Sequence, residues 1–247
     1  MDLQAFFREN SSVALAFSGG VDSSYLLYAG LKYGADIKAY FVKTAFQPAF
    51  ELRDAQRLAA QLGARMAVVE KDVLSERFAT ENPADRCYYC KRVIFETLVR
   101  VAADDGYTVL IDGTNASDDA SDRPGMRALR ELSVRSPLRE CGLTKDAIRT
   151  LSKDAGLPTW NKSAYACLAT RVPTGGAITS ELLRRVEGAE DALFALGFSD
   201  FRVRIFEESA RLQFPADQMP AALEKRELIL CGLKPFFSVV LLDLDVR

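Results

Sequence analysis

A chain of 247 residues, 49% of them hydrophobic, has ample apolar material for a packed core, and its length predicts one main domain with a smaller appendage. A formal net charge of −2 lacks the basic surplus of proteins that grip nucleic acid through its phosphates, so a long RNA or DNA partner is disfavoured. The absence of histidine excludes His-assisted triads, imidazole metal ligands and imidazole proton shuttles, leaving acid–base work to Asp, Glu, Lys, Tyr, Cys or the substrate.

Val13 to Phe17 is a short apolar run of strand type, followed by a glycine turn and a helical pattern from Asp22 to Lys32. Ile37 to Val42 reads as a second strand. Phe50 to Leu62 reads as a helix ended by Gly63, and Arg65 to Glu70 as a third strand. Lys91 to Asp104 carries Val93, Ile94, Leu98, Val101 and Ala102 at helical spacing, and Tyr107 to Ile111 is a further strand leading into Asp112-Gly113-Thr114-Asn115. Strands alternating with helices predict an α/β fold with a doubly wound parallel sheet.

After Pro158 the pattern changes. Thr179 is placed to cap a helix running to Leu196, with Gly197 to end it. Strands over Phe201–Phe206 and Ala210–Phe214, a helix from Ala216 to Leu230 and a strand over Phe236–Leu242 complete a smaller α+β domain. The boundary is expected near Trp160, giving domains 1–160 and 161–247. No run of about 18 apolar residues is present, so no membrane span is predicted. The start, MDLQAFFRENSSVALAF, lacks the basic region of a secretory signal. The expected location is the reducing cytoplasm, where the five cysteines are metal ligands or reactive thiols rather than disulfides.

Ser18-Gly19-Gly20-Val21-Asp22-Ser23 lies between the first strand and the first helix. Its glycines let the backbone turn tightly and aim amide N–H groups at an anion, and the following helix adds its positive end. Ser18 and Ser23 supply hydroxyls, and Asp22 suits a magnesium ion bridging phosphates. A plain glycine turn with Ser23 as a cap is the competing reading. The segment lacks the lysine of the common phosphate loop. It resembles instead the SGGxDS pyrophosphate (PP) loop of the ATP-pyrophosphatase superfamily, which implies an adenine nucleotide alpha hydrolase-like domain that turns ATP into AMP and pyrophosphate through an adenylylated intermediate.

Further segments run in order: DGTNASDD (112–119), DRPGMRALRELSVRSPL (122–138), LTKDAIRTLSKDAGLPTWNK (143–162), ACLATRVPTGGAIT (166–179) and FRVR (201–204). Together with SGGVDS they resemble the LarE family of ATP-dependent sulfur transferases over nearly the whole chain, ACLATR being the most specific piece. The resemblance implies thiolation of pyridinium-3,5-biscarboxylic acid mononucleotide, a small-molecule nucleotide substrate, on the route to the nickel-pincer nucleotide of lactate racemase. It also implies a sulfide source, a C-terminal sulfur-transfer and oligomerisation domain, and a homo-oligomer, a hexamer, without nucleic acid or membrane partners.

NPADRCYYCK (82–91) places Cys87 and Cys90 at a spacing that a disulfide, a zinc half-site, a redox pair and an iron–sulfur site all use. In single-cysteine relatives the cysteine at the position of Cys167 gives up its own sulfur. Cys87 and Cys90 beside Cys167 resemble instead the three-cysteine members, whose thiolates hold a four-iron, four-sulfur (4Fe-4S) cluster. A cubane takes four external ligands, and three thiolates without histidine leave one iron open to an exogenous sulfide. Cys141 and Cys231 read as small residues near helix ends.

Arg202 and Arg204 alternate with apolar neighbours, so they share one strand face. They suit a phosphate clamp, completed in the family pattern by Thr170 and Arg171, with a solvated face as the alternative. Asp112, Thr114 and Asn115 follow a strand and suit nucleotide contact at the sheet's carboxyl edge, or a plain turn. Trp160 and Tyr88 would stack on a flat pyridinium ring or merely pack, and Arg86 and Lys91 would favour thiolates or be solvated. Iron–sulfur-dependent tRNA thiolation and a non-catalytic nucleotide or iron–sulfur module are the alternative functions. The acidic charge balance speaks against the first, and the intact loop makes the second wasteful.

Overall fold

A computed structural model describes residues 2–118 and 124–247. The end of DGTNASDD, at Asp119, and the start of the next segment, Asp122 and Arg123, lie outside the described residues. The order begins α1 (Leu3–Glu9), β1 (Ser12–Ala16), α2 (Val21–Lys32), β2 (Asp36–Lys43), α3 (Ala49–Gln61) and β3 (Arg65–Glu70). It continues with α4 (Arg77–Glu81), α5 (Arg86–Asp104), β4 (Leu110–Ile111), α6 (Pro124–Glu131), α7 (Pro137–Glu140) and α8 (Lys145–Asp154). The remainder is α9 (Ser180–Ala195), β5 (Arg202–Phe206), β6 (Ser209–Gln213), α10 (Met219–Glu224), α11 (Arg226–Leu233) and β7 (Val240–Leu242).

The chain divides into two compact units. The first holds residues 1–44, 49–72 and 85–162, and the second holds 45–48, 73–84 and 163–247.

The first unit is built on a parallel sheet of order β3-β2-β1-β4. Side chains alternate across it. Val13, Leu15, Ile37, Ala39 and Phe41 join Leu26, Leu27, Leu58, Ile148 and Leu157 in one core, on the side of α2, α3 and α8. Ala14, Tyr40 and Val42 join Phe95, Leu98, Ala102, Met126 and Leu129 in another, on the side of α5 and α6. A strand buried on both faces must be apolar throughout, which is why Val13-Ala14-Leu15 reads as a continuous run. The α/β doubly wound architecture follows.

In the second unit β5 and β6 pair antiparallel and β6 and β7 pair parallel. Leu183, Val186, Ala189 and Leu193 of α9 are buried at three- and four-residue spacing, as are Val203, Ala210 and Leu212 of the sheet. Thr179 caps α9 by accepting the Leu182 amide at 3.1 Å, and Gly197 leaves it at φ +88°.

Several expected boundaries move. The helix expected from Lys91 starts at Arg86, because Tyr88 and Cys90 extend the buried face of Phe95 and Leu98 toward the N-terminus. The helix expected over Ala216–Leu230 is a short 3-10 turn followed by α10 and α11, with Pro220 near the start of α10 unable to continue a hydrogen-bond ladder. Only Leu110 and Ile111 of the expected strand from Tyr107 pair with β1. The last strand forms over Val240–Leu242 alone, since Phe237 turns into the core under the Arg185 guanidinium, 4.6 Å from its ring. The helices α1, α4, α6, α7 and α8 were not anticipated.

Leu15 is fully buried at the centre of the sheet. Leu15→Ala is expected to lower the unfolding free energy by about 2–5 kcal/mol, read from urea denaturation with an unchanged m-value.

Candidate active site

Strand β1 is where the sheet order reverses: β2 and β3 lie on one side and β4 on the other. The crevice at the carboxyl ends of β1 and β4 is therefore the place where an open α/β sheet receives a ligand. Ser18–Ser23 leaves β1 there, and Asp112–Asn115 leaves β4 beside it.

Gly19 adopts φ +69°, and a β-carbon on it would stand 3.0 Å from the β-carbon of Ala55 in α3. A side chain is thus excluded both by conformation and by space. The Ser18 and Ser23 hydroxyls are 3.1 Å apart, and Ser23 Oγ also accepts the Ser18 amide at 3.3 Å and donates to the Gly20 carbonyl at 3.3 Å. Helix α2 opens at Gly20 with no side-chain cap, so its first amides are left for a ligand.

Asp22 does not stand alone. Its Oδ2 is 2.5 Å from Lys145 Nζ, at the start of α8, and its Oδ1 accepts from Asn115 Nδ2 at 3.4 Å. Asp112 is buried, accepting the Thr114 hydroxyl at 2.5 Å and the Ser136 hydroxyl at 2.6 Å. Asn115 Oδ1 accepts the Ser117 amide at 2.8 Å. The Asp112–Asn115 loop is therefore an internally bonded support for the glycine loop. On Gly19, the Lys162 ammonium approaches the carbonyl oxygen at 3.4 Å while paired to Asp54 at 2.9 Å. Lys145 and Lys162 were missed at the sequence level. Trp160 is partly exposed, with Lys153 Nζ 4.9 Å from its ring, so its stacking surface is already shared.

Cys87 and Cys90 sit in the first turn of α5, Cys87 exposed and Cys90 buried. Tyr88 between them is locked in place rather than open to a substrate. Its hydroxyl donates to Glu131 at 2.7 Å, and the Arg127 guanidinium carbon lies 3.7 Å from its ring centre. Arg86 is buried, and Lys91 runs against Gly125, so neither is a simple solvated charge. Cys87 and Cys90 belong to the first unit and Cys167 to the second. Among the described residues no three Cys, Asp or Glu side chains stand together as metal ligands. Cys141 is half-buried, burial pushing its thiol up from the ordinary range, and Cys231 lies exposed on α11.

In the second unit Cys167 is half-buried, and its carbonyl accepts the Thr170 amide at 2.9 Å and the Thr170 hydroxyl at 2.8 Å, opening the 3-10 turn Leu168–Arg171. Arg171 and Glu190 are each only 1% exposed, joined at 2.7 Å through Arg171 Nε. Glu190 also accepts the Val203 amide at 3.0 Å and the Tyr165 hydroxyl. Arg202 is buried, donating to the carbonyls of Phe201 at 2.6 Å and Ala164 at 2.8 Å. Arg204 is half-buried, donating to the Thr170 carbonyl at 3.1 Å and to Gln213.

The solvated strand face is thereby overturned: these guanidiniums are packed and hydrogen-bonded. Burial first, and repulsion by Arg171 second, push Arg202 down to about 10 and lower Arg204 as well. Arg171, Arg202 and Arg204 thus gather near Glu190, and Arg211 and Asp243 also act on Arg204, which leaves four guanidiniums against two carboxylates, an excess of positive charge suited to an anion. Tyr165 and Glu190, which complete this group, were also missed.

Glu190→Gln is expected to destabilise the protein by about 3–5 kcal/mol in thermal or urea unfolding, because it leaves buried arginines without their carboxylate. Added phosphate is expected to restore part of that loss.

No family model matches the chain. An uncharacterized protein of Synechocystis sp. is 37% identical over 99% of this chain and 92% of its own length. The pyridinium-3,5-bisthiocarboxylic acid mononucleotide synthase of Lactiplantibacillus plantarum is 34% identical over 86% of this chain and 78% of its own length. A component of the glutamine-hydrolysing GMP synthase of Methanococcus vannielii is 30% identical over 58% of this chain and 50% of its own.

Proposed function

Since the chain belongs to the LarE family of ATP-dependent sulfur transferases within the PP-loop superfamily, we propose that it adenylylates a carboxylate of pyridinium-3,5-biscarboxylic acid mononucleotide and converts it to a thiocarboxylate. The observation that carries this reading is the Ser18–Ser23 loop, with its uncapped helix start, at the carboxyl end of β1. A carboxylate oxygen of the substrate attacks the α-phosphorus of ATP, the bond to the β-phosphate breaks, and pyrophosphate leaves with its electron pair.

Ser18, Gly19, Gly20 and Ser23 hold the β- and γ-phosphates through amides and hydroxyls. Asp22 takes the magnesium that accompanies them; that ion neutralises phosphate charge when bound. Its carboxylate is 20% exposed beside the Lys145 ammonium and would supply an oxygen ligand to such an ion. Asp112, Thr114 and Asn115 order the nucleotide side of the crevice. Thr170, Arg171, Arg202 and Arg204 form the pole for the substrate's phosphate, drawn by the excess guanidinium charge.

Sulfur handling falls to Cys167, Cys87 and Cys90. The proposal extends to a 4Fe-4S cluster on these three thiolates, which would present an exchangeable sulfide. A second reading is favoured by the position of Cys167 at the head of the turn that carries Thr170 and Arg171, beside the pole for the substrate. In it the Cys167 thiolate displaces AMP from the acyl carbon, and loss of the Cys167 α-proton expels the thiocarboxylate, leaving dehydroalanine. A homo-hexamer working in the cytoplasm with a separate sulfide donor completes the proposal.

With ATP and the mononucleotide, the products are expected to be AMP and pyrophosphate, and Asp22→Ala is expected to abolish their release without unfolding the protein. ADP as product would refute the PP-loop chemistry. Cys87→Ala and Cys90→Ala in anaerobically purified protein separate the two sulfur sources. Loss of a brown chromophore together with multiple turnover assigns the cluster. Intact single turnover, with Cys167 lighter by one hydrogen sulfide, assigns the sulfur to Cys167 itself.

A further inference from the structure

The guanidinium pole of the second unit carries charge but few open donors. Arg171 is sealed from water, with Nε and Nη2 on Glu190 and Nη1 on the Ala166 carbonyl at 3.2 Å and the Thr170 hydroxyl at 2.8 Å. Arg202 is buried, with Nη1 and Nη2 on the Phe201 and Ala164 carbonyls. Arg204 has Nε on Gln213 and Nη1 on the Thr170 carbonyl. Groups held in this way set a positive potential, but a substrate anion also needs donors that it can reach.

One further guanidinium meets that need. After β7 the chain continues along β6: the Asp243 amide donates to the Leu212 carbonyl at 2.9 Å, and the Arg247 amide to the Phe214 carbonyl at 3.1 Å. This path carries Arg247 to the residue before β5 begins its turn into the core, where Arg247 Nη1 contacts both the carbonyl and the carboxylate of Asp200. The next carbonyl, that of Phe201, holds Arg202, so the two guanidiniums grip successive peptides. Arg171 and Glu190 both act on Arg247, whose pKa is lowered by burial first and by repulsion from Arg171 second.

Asp200 occupies only one corner of the Arg247 guanidinium. Among the described residues nothing accepts a hydrogen bond from Nε or Nη2, and the side chain is 25% exposed. Those two nitrogens form the edge of the planar group that meets two oxygens of one anion at once. The Asp200 side chain is 40% exposed, and an ion pair so open to water stabilises little. The contact therefore aims the guanidinium more than it secures the fold.

We propose that Arg247 is a further substrate-binding residue, taking the phosphate of the mononucleotide through its Nε and Nη2 edge while Asp200 holds Nη1. The inference rests on the reading of Arg202 and Arg204 as the pole for that phosphate. Asp200 accompanies Arg247, so the excess of two positive charges in the group is unchanged, and what Arg247 adds is a reachable bidentate contact. A phosphate monoester carries about 1.5–2 negative charges at neutral pH, a closer match to that excess than the single charge of a carboxylate.

Calorimetric titration of the full chain with ribose 5-phosphate, and separately with ATP plus magnesium, tests this. Arg247→Gln is expected to weaken ribose 5-phosphate binding about 10- to 100-fold, as loss of a charged bidentate contact requires, and to leave ATP binding within about twofold. Arg247→Lys keeps the charge without the fork and is expected to fall between wild type and Arg247→Gln. Thermal unfolding of both variants is expected to match wild type. Ribose 5-phosphate affinity unchanged in Arg247→Gln, or lost equally for ATP, overturns the inference while the pole stands. A wild-type protein that does not bind ribose 5-phosphate overturns the pole, and this inference with it.

Discussion

A β-carbon on residue 113 would stand 2.9 Å from the Ser23 amide nitrogen and 3.3 Å from the Asp22 β-carbon. Much of the nucleotide crevice depends on that close approach. Because residue 113 is glycine, the loop leaving β4 can press onto the first turn of α2, and Asn115 comes within hydrogen-bonding distance of Asp22. The same economy holds on the other flank, where Gly19 passes Ala55 with no room for a side chain. Parallel pairing of β1 with β4 brings the two loops side by side, and the glycines let them touch. A larger residue at either position would have to push the amides of α2 out of line with an incoming anion.

The second unit organises charge differently. Arg171 and Glu190 are sealed from water, and the carboxylate is shared among the Arg171 guanidinium, the Val203 amide and the Tyr165 hydroxyl. Such a pair does not by itself stabilise a fold relative to apolar residues, but it tolerates one geometry only. That geometry holds the 3-10 turn after Cys167 against β5. Arg202 and Arg204 then add positive charge that Asp243, reached from Arg204 through Gln213, offsets only in part, their donors directed largely to backbone carbonyls. The local potential is left positive, and an anionic group of a substrate is the natural complement.

How much of this was legible follows from sequence distance. The parallel sheet was readable because each of its main strands is a contiguous apolar run, and the glycine loop because its six residues are consecutive. The start of α5 was obscured because CYYC looks like a motif in its own right, although Tyr88 repeats the buried face of Phe95 seven residues on. Lys145 and Lys162 were invisible for a plainer reason. They meet Asp22 and Gly19 across 123 and 143 residues, and a lone lysine in a helical or loop pattern reads as solvated. Glu190 was hidden as one acid on an amphipathic helix, its burial decided by the Arg171 turn packed against it. In each case the local pattern fixed the element while tertiary contact decided the role.

The resting charge of the nucleotide crevice makes the last connection. Asp22 and Asp54 balance Lys145 and Lys162, so the glycine loop waits without net charge from these side chains. A crevice with unbalanced ammonium groups would bind stray anions; one with unbalanced carboxylates would repel a nucleotide. Storing each cation on an acid avoids both, and such partly exposed ion pairs contribute only about 0–1 kcal/mol each, so they balance charge more than they hold the fold. The Lys145 amide is tied to Ser117 Oγ, and the neighbouring Ala116 amide to the Leu143 carbonyl, so the start of α8 is fixed to the loop that leaves β4.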